Sequence, residues 1–192
     1  MNEFIWQSDN VLSEEFCQQV IDKFESLPHH LRHREGVVAD GVKRDIKQSY
    51  DHLIDNNDDE WKDIDKVFFD KLSYGLQTYS EYLKGINPKL SYIVGNKARD
   101  TGYQIQKTMP GGFYHWHHDF CVRTEGPRIL TYIWYLNTIT EGGYTEFVDG
   151  TSIQPKQGKM VIFPATWTCL HRGVPPIFEE KYIVTGWMYI KG

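Results

Sequence analysis

The stretch GGFYHWHHDFCVRTEGPRILTYIWYLN, residues 111–137, decides the fold class of this chain of 192 residues. Both of its ends are rich in aromatic and β-branched residues, which favour β-strands, and its middle carries glycine and proline, which favour turns. Five further segments share this composition: TGYQIQKT (101–108), YTEFVDG (144–150), GKMVIFP (158–164), TCLHRGV (168–174) and KYIVTGWMYI (181–190). Short strands at this spacing predict an all-β sandwich or barrel of the jelly-roll type.

The N-terminal half has the periodicity of helices instead. Phe16, Val20 and Phe24 lie on one apolar stripe that follows the capping residue Ser13, so an amphipathic helix is expected to begin there. A second helix is predicted over residues 59–83, where apolar residues recur at helical intervals and are followed by a glycine and a proline. These helices are expected to pack against one face of the sheet.

The chain is predicted to form one domain, residues 1–192, because no repeat, low-complexity tract or linker divides it. Residues 1–90 would supply a helical buttress and a loop, and residues 91–192 the jelly-roll core. The loop is expected at residues 29–50, which are rich in charged residues and have little apolar periodicity.

Bulk properties exclude several classes of function. A net charge of -5 and a pI near 5.9 give no basic surface for a phosphate backbone, so nucleic acid is not a predicted partner. Three widely spaced cysteines without a CxxC pair favour a reducing compartment. The N-terminus does not look like a signal peptide and no run of about 18 apolar residues occurs, so a cytoplasmic protein without a membrane span is expected.

Residues that bind metal ions occur at alternate positions in the quoted stretch. An extended backbone would direct His115, His117 and Asp119 to one face. A histidine and a carboxylate two residues apart can bind one divalent ion, and His171 from a distant strand would complete a facial triad with open coordination sites. Two alternatives stay open on these grounds: His115 is a rival ligand, and Cys169, which would share a face with His171, could indicate zinc.

Ordered motifs between residues 103 and 190 carry a resemblance to a known family. GGFYHWHHDF, RILTYIWYLN, GGYTEF, GKMVIFP and HRGVPPIFEEKYIVTGW occur in the order found in the prolyl 4-hydroxylase-like Fe(II)/2-oxoglutarate dioxygenases, which the chain resembles. The resemblance implies a double-stranded β-helix core of the jelly-roll, cupin-like kind, with His117, Asp119 and His171 as iron ligands. It implies Fe(II), 2-oxoglutarate as co-substrate, O2, and ascorbate as a reductant. The implied reaction hydroxylates a C–H bond while 2-oxoglutarate is converted to succinate and CO2.

The resemblance also implies which residues contact the co-substrate. Lys181 stands ten residues after His171, where the family has its basic anchor for the distal carboxylate, and Thr145 matches a threonine that contacts the same molecule. A departure occurs at Thr108, because prolyl 4-hydroxylases usually carry a tyrosine there that bonds to the co-substrate. Tyr135 is a possible substitute for that tyrosine.

Tyr114, Arg128 and Trp187 match positions that hold the substrate in relatives that hydroxylate peptides. Strand alternation is expected to put Trp187 on the same face as Lys181, with Ile183 and Thr185 between them. The substrate predicted from this match is a peptidyl residue such as proline. The tryptophans that could wall the site, or else belong to the core, are Trp116, Trp134, Trp167 and Trp187.

Other functions are compatible with parts of the sequence. The same chemistry could act on a free amino acid or another small metabolite. A cupin-like protein without oxygenase activity could hold zinc or nickel through His115, His117 and His171. A nucleic-acid demethylase shares the same triad but lacks support from the charge, unless residues 29–50 form a basic arm over the site.

Overall fold

The computed structural model describes residues 3–55, 58–93, 98–124 and 126–190. Within these residues there are three α-helices, α1 (Glu14–Ser26), α2 (His29–Arg32) and α3 (Lys62–Ile86), and two 3-10 helices, Pro88–Ile93 and Trp167–Cys169. The strands are β1 (Trp6–Ser8), β2 (Tyr50–Ile54), β3 (Ala98–Asp100), β4 (Tyr103–Thr108), β5 (Tyr114–His117), β6 (Val122–Arg123), β7 (Gly126–Tyr135), β8 (Thr145–Phe147), β9 (Ser152–Ile153), β10 (Met160–Pro164), β11 (His171–Gly173) and β12 (Lys181–Ile190).

The strands form two antiparallel sheets. The larger sheet has the order β1-β10-β7-β12-β4-β2, with β3 paired to β12 and β6 paired to β7. The smaller sheet has the order β5-β11-β8-β9. Each strand segment predicted from the sequence contains a strand, and the prediction of a mainly β, jelly-roll fold with helices on one side is confirmed.

The larger sheet is buried on both faces, which separates two apolar cores. On one face Tyr132 and Trp134 of β7 pack against the helices, with the Trp134 and Phe68 ring centroids 5.2 Å apart. On the other face Ile133 packs with Phe147 of the smaller sheet. Burial of both faces explains why β7 is apolar or aromatic from residue 129 to 135 apart from Thr131, instead of alternating with polar residues.

Helix α1 begins where the capping pattern predicts. The Ser13 side-chain oxygen accepts a hydrogen bond from the Phe16 N–H at 3.2 Å, and Glu14 and Glu15 occupy the first turn, where the helix dipole favours negative charge. Cys17 is also buried on the inner face of the helix, between the apolar positions that the periodicity identified.

Helix α3 lies about three residues later than predicted, so Gly85 falls inside it and Asn87 caps its C-terminus, donating to the Leu83 carbonyl at 2.9 Å. Gly75 faces β10, and a Cβ at this position would approach the Met160 sulfur to 2.5 Å. The absence of a side chain therefore lets the helix lie close to the sheet. Of the helices described, none combines the length and the apolar character that a bilayer crossing requires.

Two strands in the N-terminal half were not predicted. β1 pairs with β10 and β2 pairs with β4, so this half supplies both edges of the larger sheet. The segment 29–50 is not a detached loop either, since it contains α2 and touches the smaller sheet. Gln48 donates to the Phe113 carbonyl at 2.8 Å and His115 donates to the Ile46 carbonyl at 2.9 Å, which places residues 46–48 beside β5.

Candidate metal and co-substrate site

Two histidines and an aspartate meet at the end of β5. His117 and His171 are directly opposite each other in the pairing of β5 with β11, and Asp119 follows β5 by two residues. Asp119 Oδ1 lies 3.8 Å from His117 Nε2 and its Oδ2 lies 3.6 Å from His171 Nε2. Among the residues described, these three form a group whose ligand atoms all lie within 4.8 Å of one another. Two imidazoles and one carboxylate at these distances suit a divalent ion such as Fe(II).

Hydrogen bonds fix the tautomer of both imidazoles. His117 Nδ1 lies 2.8 Å from the His115 carbonyl oxygen and His171 Nδ1 lies 2.9 Å from the Cys169 carbonyl oxygen. Because a carbonyl oxygen only accepts, each Nδ1 carries the hydrogen and each Nε2 is left with a lone pair toward Asp119. Burial and, to a smaller extent, the neighbouring His171 lower the pKa of His117 to about 3, so His117 is neutral at physiological pH.

The Asp119 carboxylate is oriented by β7. Thr131 Oγ1 donates to Asp119 Oδ2 at 2.7 Å, and the Asp119 N–H donates to the Ala165 carbonyl at 3.1 Å. Thr131 is 1% exposed and shares the inward face of β7 with Ile133. Sequence reasoning did not identify Thr131, although its place in the strand alternation with Ile133 and Tyr135 is a usable signal.

A β-bulge in β5 makes one prediction wrong, namely that His115 shares a face with His117. The register of β5 with β11 pairs His117 with His171 but Tyr114 with Gly173, so β5 has one residue more than its partner. The extra residue turns Tyr114 to the side of His117, and the two rings stack with centroids 3.5 Å apart and planes 17° apart. His115 is exposed and is not part of the group of metal-binding atoms, so the ligand set with His115 is not supported.

The triad opens into a cavity that also contains a buried lysine. This central cavity is lined by the triad together with Lys181, Ile183, Thr185 and Trp187, which confirms that these alternate residues of β12 share a face. Lys181 is 5% exposed, and its ammonium group donates to the Gly143 carbonyl oxygen at 2.9 Å. Burial lowers the pKa of Lys181 to about 8, so the group is largely cationic at neutral pH and suited to an anionic ligand.

Two further predicted co-substrate residues, Thr145 and Tyr135, lie near Lys181, and so does Thr108, where the chain departs from the family. Thr145 lines the central cavity, and so does Thr108, which is directly opposite Lys181 in the pairing of β4 with β12. Tyr135 is fully buried and does not line the cavity among the residues described; its hydroxyl group lies 2.7 Å from Thr145 Oγ1. The substitution of Tyr135 for the family tyrosine stays a prediction; its hydroxyl group contacts the cavity residue Thr145.

The predicted substrate residues differ in how they reach the central cavity. Tyr114 and Trp187 line the central cavity and are partly exposed. The Arg128 guanidinium lies 3.7 Å from the centre of the Trp187 ring, so it reaches the cavity through that ring.

Trp187 lines the central cavity, while the other tryptophans considered do not. Trp116 and Trp167 are 41% and 74% exposed, and Trp134 belongs to the core between the larger sheet and the helices.

Two cavity residues, Lys47 and Ser49, come from the segment that the sequence presented as a loop. Lys47 is 4% exposed, lines the central cavity, and its Nζ lies 2.6 Å from Asp51 Oδ2. Its Nζ also lies 5.2 Å from the centre of the Tyr114 ring. Neither the apolar pattern nor the motifs could identify Lys47, because it reaches the site through a pairing with β5 that is distant in sequence.

Comparison with known proteins agrees with this geometry. Residues 103–189 match the model of the 2OG-Fe(II) oxygenase superfamily. Prolyl 4-hydroxylase subunit alpha-1 of Gallus gallus is 29% identical over an alignment 131 residues long, which covers 59% of this chain and 25% of that protein. Prolyl 4-hydroxylase 13 of Arabidopsis thaliana is 24% identical over an alignment 217 residues long, gaps included, which covers 97% of this chain and 71% of that protein. The chain thus spans about a quarter of the length of the animal subunit and about seven tenths of the plant enzyme.

Solved structures share the fold. The viral collagen prolyl hydroxylase of Paramecium Bursaria Chlorella virus-1, in complex with 2OG, superposes with a TM-score of 0.69 at 21% identity, covering 98% of this chain and 97% of that one. A Pseudomonas putida prolyl-4-hydroxylase gives a TM-score of 0.66 at 19% identity, covering 98% and 94%. The chain is therefore similar to the 2OG-Fe(II) oxygenase superfamily over residues 103–189, and to prolyl 4-hydroxylases in sequence and fold.

Proposed function

We propose that the chain is an Fe(II)- and 2-oxoglutarate-dependent dioxygenase that hydroxylates a prolyl residue of a peptide. The observation that carries the proposal is the meeting of the His117, Asp119 and His171 donor atoms with the buried ammonium group of Lys181 in one cavity. An iron site with open positions and a cation for a distal carboxylate are the two requirements of a chelating 2-oxo acid.

In the proposed reaction, iron with 2-oxoglutarate and O2 converts R–H to R–OH and releases succinate and CO2. The two histidines and Asp119 would hold the metal through Nε2 and carboxylate oxygen atoms, while Thr131 keeps the carboxylate in its orientation. Lys181 would bind the distal carboxylate of 2-oxoglutarate.

The rest of the central cavity would bind and orient the two organic molecules. Thr145 and Thr108 offer hydroxyl groups beside Lys181, and the apolar side chain of Ile183 limits access of water to the same end. Tyr114 and Trp187 would orient the substrate C–H bond, as large rigid rings do at low entropic cost.

A peptide is favoured over a free amino acid because a groove adjoins the central cavity. Lys47 and Ser49 line both, and the groove extends along Val42, Met109 and Pro110. A small metabolite would leave this groove unused. The relatives named above are prolyl hydroxylases, which supports proline as the residue that is modified.

An assay of 2-oxoglutarate turnover tests the proposal. The purified chain with Fe(II), ascorbate and proline-containing peptides is expected to form succinate in a peptide-dependent way and to add the mass of one oxygen atom to the peptide. His171→Ala and Lys181→Ala should abolish both signals, since the first removes a metal donor and the second the cation. Turnover with free amino acids and none with peptides would favour the small-metabolite alternative; the absence of any turnover would reject the proposal.

We also infer a single domain over residues 1–192 and a reducing location such as the cytoplasm. Strands from the N-terminal half form both edges of the larger sheet, which supports one folding unit. Cys17, Cys121 and Cys169 are not joined by disulfides, as a reducing compartment would require.

A further inference from the structure

Lys47 is held next to Tyr114 by backbone pairing. The two residues form an isolated antiparallel bridge, and hydrogen bonds from Gln48 to Phe113 and from His115 to Ile46 extend the contact on both sides. Side chains of directly opposed residues in an antiparallel pair lie on the same face. The ammonium group of Lys47 consequently lies over the Tyr114 ring, 5.2 Å from its centre.

Tyr114 in turn covers the imidazole of His117. The bulge in β5 brings both residues to the inner face, where the rings are nearly parallel, with centroids 3.5 Å apart. His117 therefore has Tyr114 against one face of its ring and the His115 carbonyl bonded to its Nδ1. These contacts fix the plane of the imidazole and hence the direction of the Nε2 lone pair.

Lys47 itself has little freedom to move. Its ammonium group bonds to Asp51 Oδ2 at 2.6 Å, and Ser49 Oγ donates to Asp51 Oδ1 at 2.8 Å. Gly36 packs on this pair so closely that a Cβ would lie 2.9 Å from Lys47 Cε and 2.8 Å from Asp51 Oδ2. Lys47 and Asp51 are 4% and 5% exposed, so solvent does not compete for the pair.

We propose that Lys47 is a positioning residue for the metal centre, which holds the Tyr114 ring against His117 and so keeps Nε2 of that histidine directed at the ion. The inference rests on the proposed function in one respect, because it takes His117 as a metal donor. It gives the segment 29–50 a role in the site that is separate from substrate binding.

Electrostatics and positioning predict opposite effects for Lys47. A cation near a divalent ion repels it, so removal of the Lys47 charge alone should tighten metal binding. Loss of positioning should weaken metal binding instead. Removing Lys47 and Asp51 together leaves the net charge unchanged, so the electrostatic effect then largely cancels and positioning alone predicts weaker binding.

Calorimetric titration of the full chain with Co(II), without 2-oxoglutarate, tests the inference. K47M/D51N is expected to bind Co(II) about tenfold more weakly than the wild type, the size usual for lost outer contacts of a metal ligand. Y114L should show a similar loss of Co(II) affinity. The triple variant K47M/D51N/Y114L should bind Co(II) no more weakly than Y114L, because Lys47 acts through the Tyr114 ring. Lys47→Arg, which keeps a cation over the ring and a partner for Asp51, should bind Co(II) like the wild type.

Lys107→Met provides a matched control for general destabilisation. Lys107 is 8% exposed and its ammonium group lies 2.8 Å from Glu25 and 2.9 Å from Glu180, on the helix side of the larger sheet. This variant should lower the melting temperature without changing Co(II) affinity. The inference is overturned if K47M/D51N binds Co(II) as tightly as the wild type. It is also overturned if K47M/D51N and Lys107→Met both lose Co(II) affinity in proportion to the fall in their melting temperatures. A wild type that binds no Co(II) overturns the proposed function together with this inference.

Discussion

At the scale of single residues, burial sets the protonation of groups that the sequence identified only by type. Burial lowers the pKa of His117 to about 3 and that of Lys181 to about 8. The motifs named both residues, but their protonation depends on neighbours that are distant in sequence. Thr131, which orients Asp119, was not identified because a threonine in a β-strand is common and its partner is visible only in the folded chain.

Replacing Lys181 by methionine is expected to stabilise the fold while it weakens co-substrate binding. The folded pKa of about 8 lies below the ordinary value of 10.5, so the folded state is penalised for holding the charged lysine below pH 8. At pH 7 the free energy of unfolding of Lys181→Met should exceed that of the wild type by about 2 kcal/mol, after loss of the bond to Gly143.

Urea denaturation from pH 7 to pH 10.5 measures this difference between the two proteins. The advantage of Lys181→Met should shrink as pH rises above 8, because the folded wild type then loses its proton before the unfolded chain does. Lys181→Arg is the control and should stay less stable than Lys181→Met throughout. A destabilised Lys181→Met at pH 7 would contradict a penalty from charge burial.

At the scale of elements, composition predicted the strands of the core but not the irregular pairing that builds the site. The aromatic and β-branched runs gave β7 and β12 because these residues pack on both faces of a buried sheet. The bulge that turns Tyr114 toward His117 has no local signal, since it depends on the register with β11. β2 and residues 46–48 were missed for a related reason: their polar sequences pair with partners far along the chain, β2 as a strand and Lys47 through an isolated bridge.

Amide hydrogen exchange distinguishes an attached segment from a mobile loop at residues 46–48. The N–H groups of Gln48 and His115 bond across to Phe113 and Ile46, so both should exchange slowly, like those of neighbouring strands. The amide of Asp40, an exposed residue in the turn between Val38 and Gly41, is expected to exchange faster and serves as an internal comparison. Exchange of the Gln48 amide at the rate of an unfolded peptide would contradict the pairing.

At the scale of the whole molecule, the larger sheet separates a packed apolar layer from the layer that contains the site. Helices α1 and α3 cover Tyr132, Trp134 and Val184, while the opposite face contributes Thr131 and Lys181 to the central cavity. Both edge strands come from the N-terminal half. Residues 103–189, which match the family model, therefore depend on the N-terminal half of the chain for part of their burial.

A fragment that starts at residue 98 is expected not to fold by itself. It would expose the face of the larger sheet that the helices cover and would leave β10 and β4 as unprotected edges, which favour aggregation. Circular dichroism and thermal melting of the fragment, with the full chain as control, measure this. A cooperative melt of the fragment would contradict the dependence on the N-terminal half.

Anaerobic titration with Fe(II) and then with 2-oxoglutarate tests the central claim most directly, because it reports the triad and Lys181 together. We expect one Fe(II) per chain and, on addition of 2-oxoglutarate, a visible charge-transfer absorption from its chelation to iron. This absorption should be absent in His171→Ala and should need much more 2-oxoglutarate in Lys181→Ala. Stoichiometric Fe(II) binding with no spectral response to 2-oxoglutarate, or a response unchanged in His171→Ala, would contradict the account.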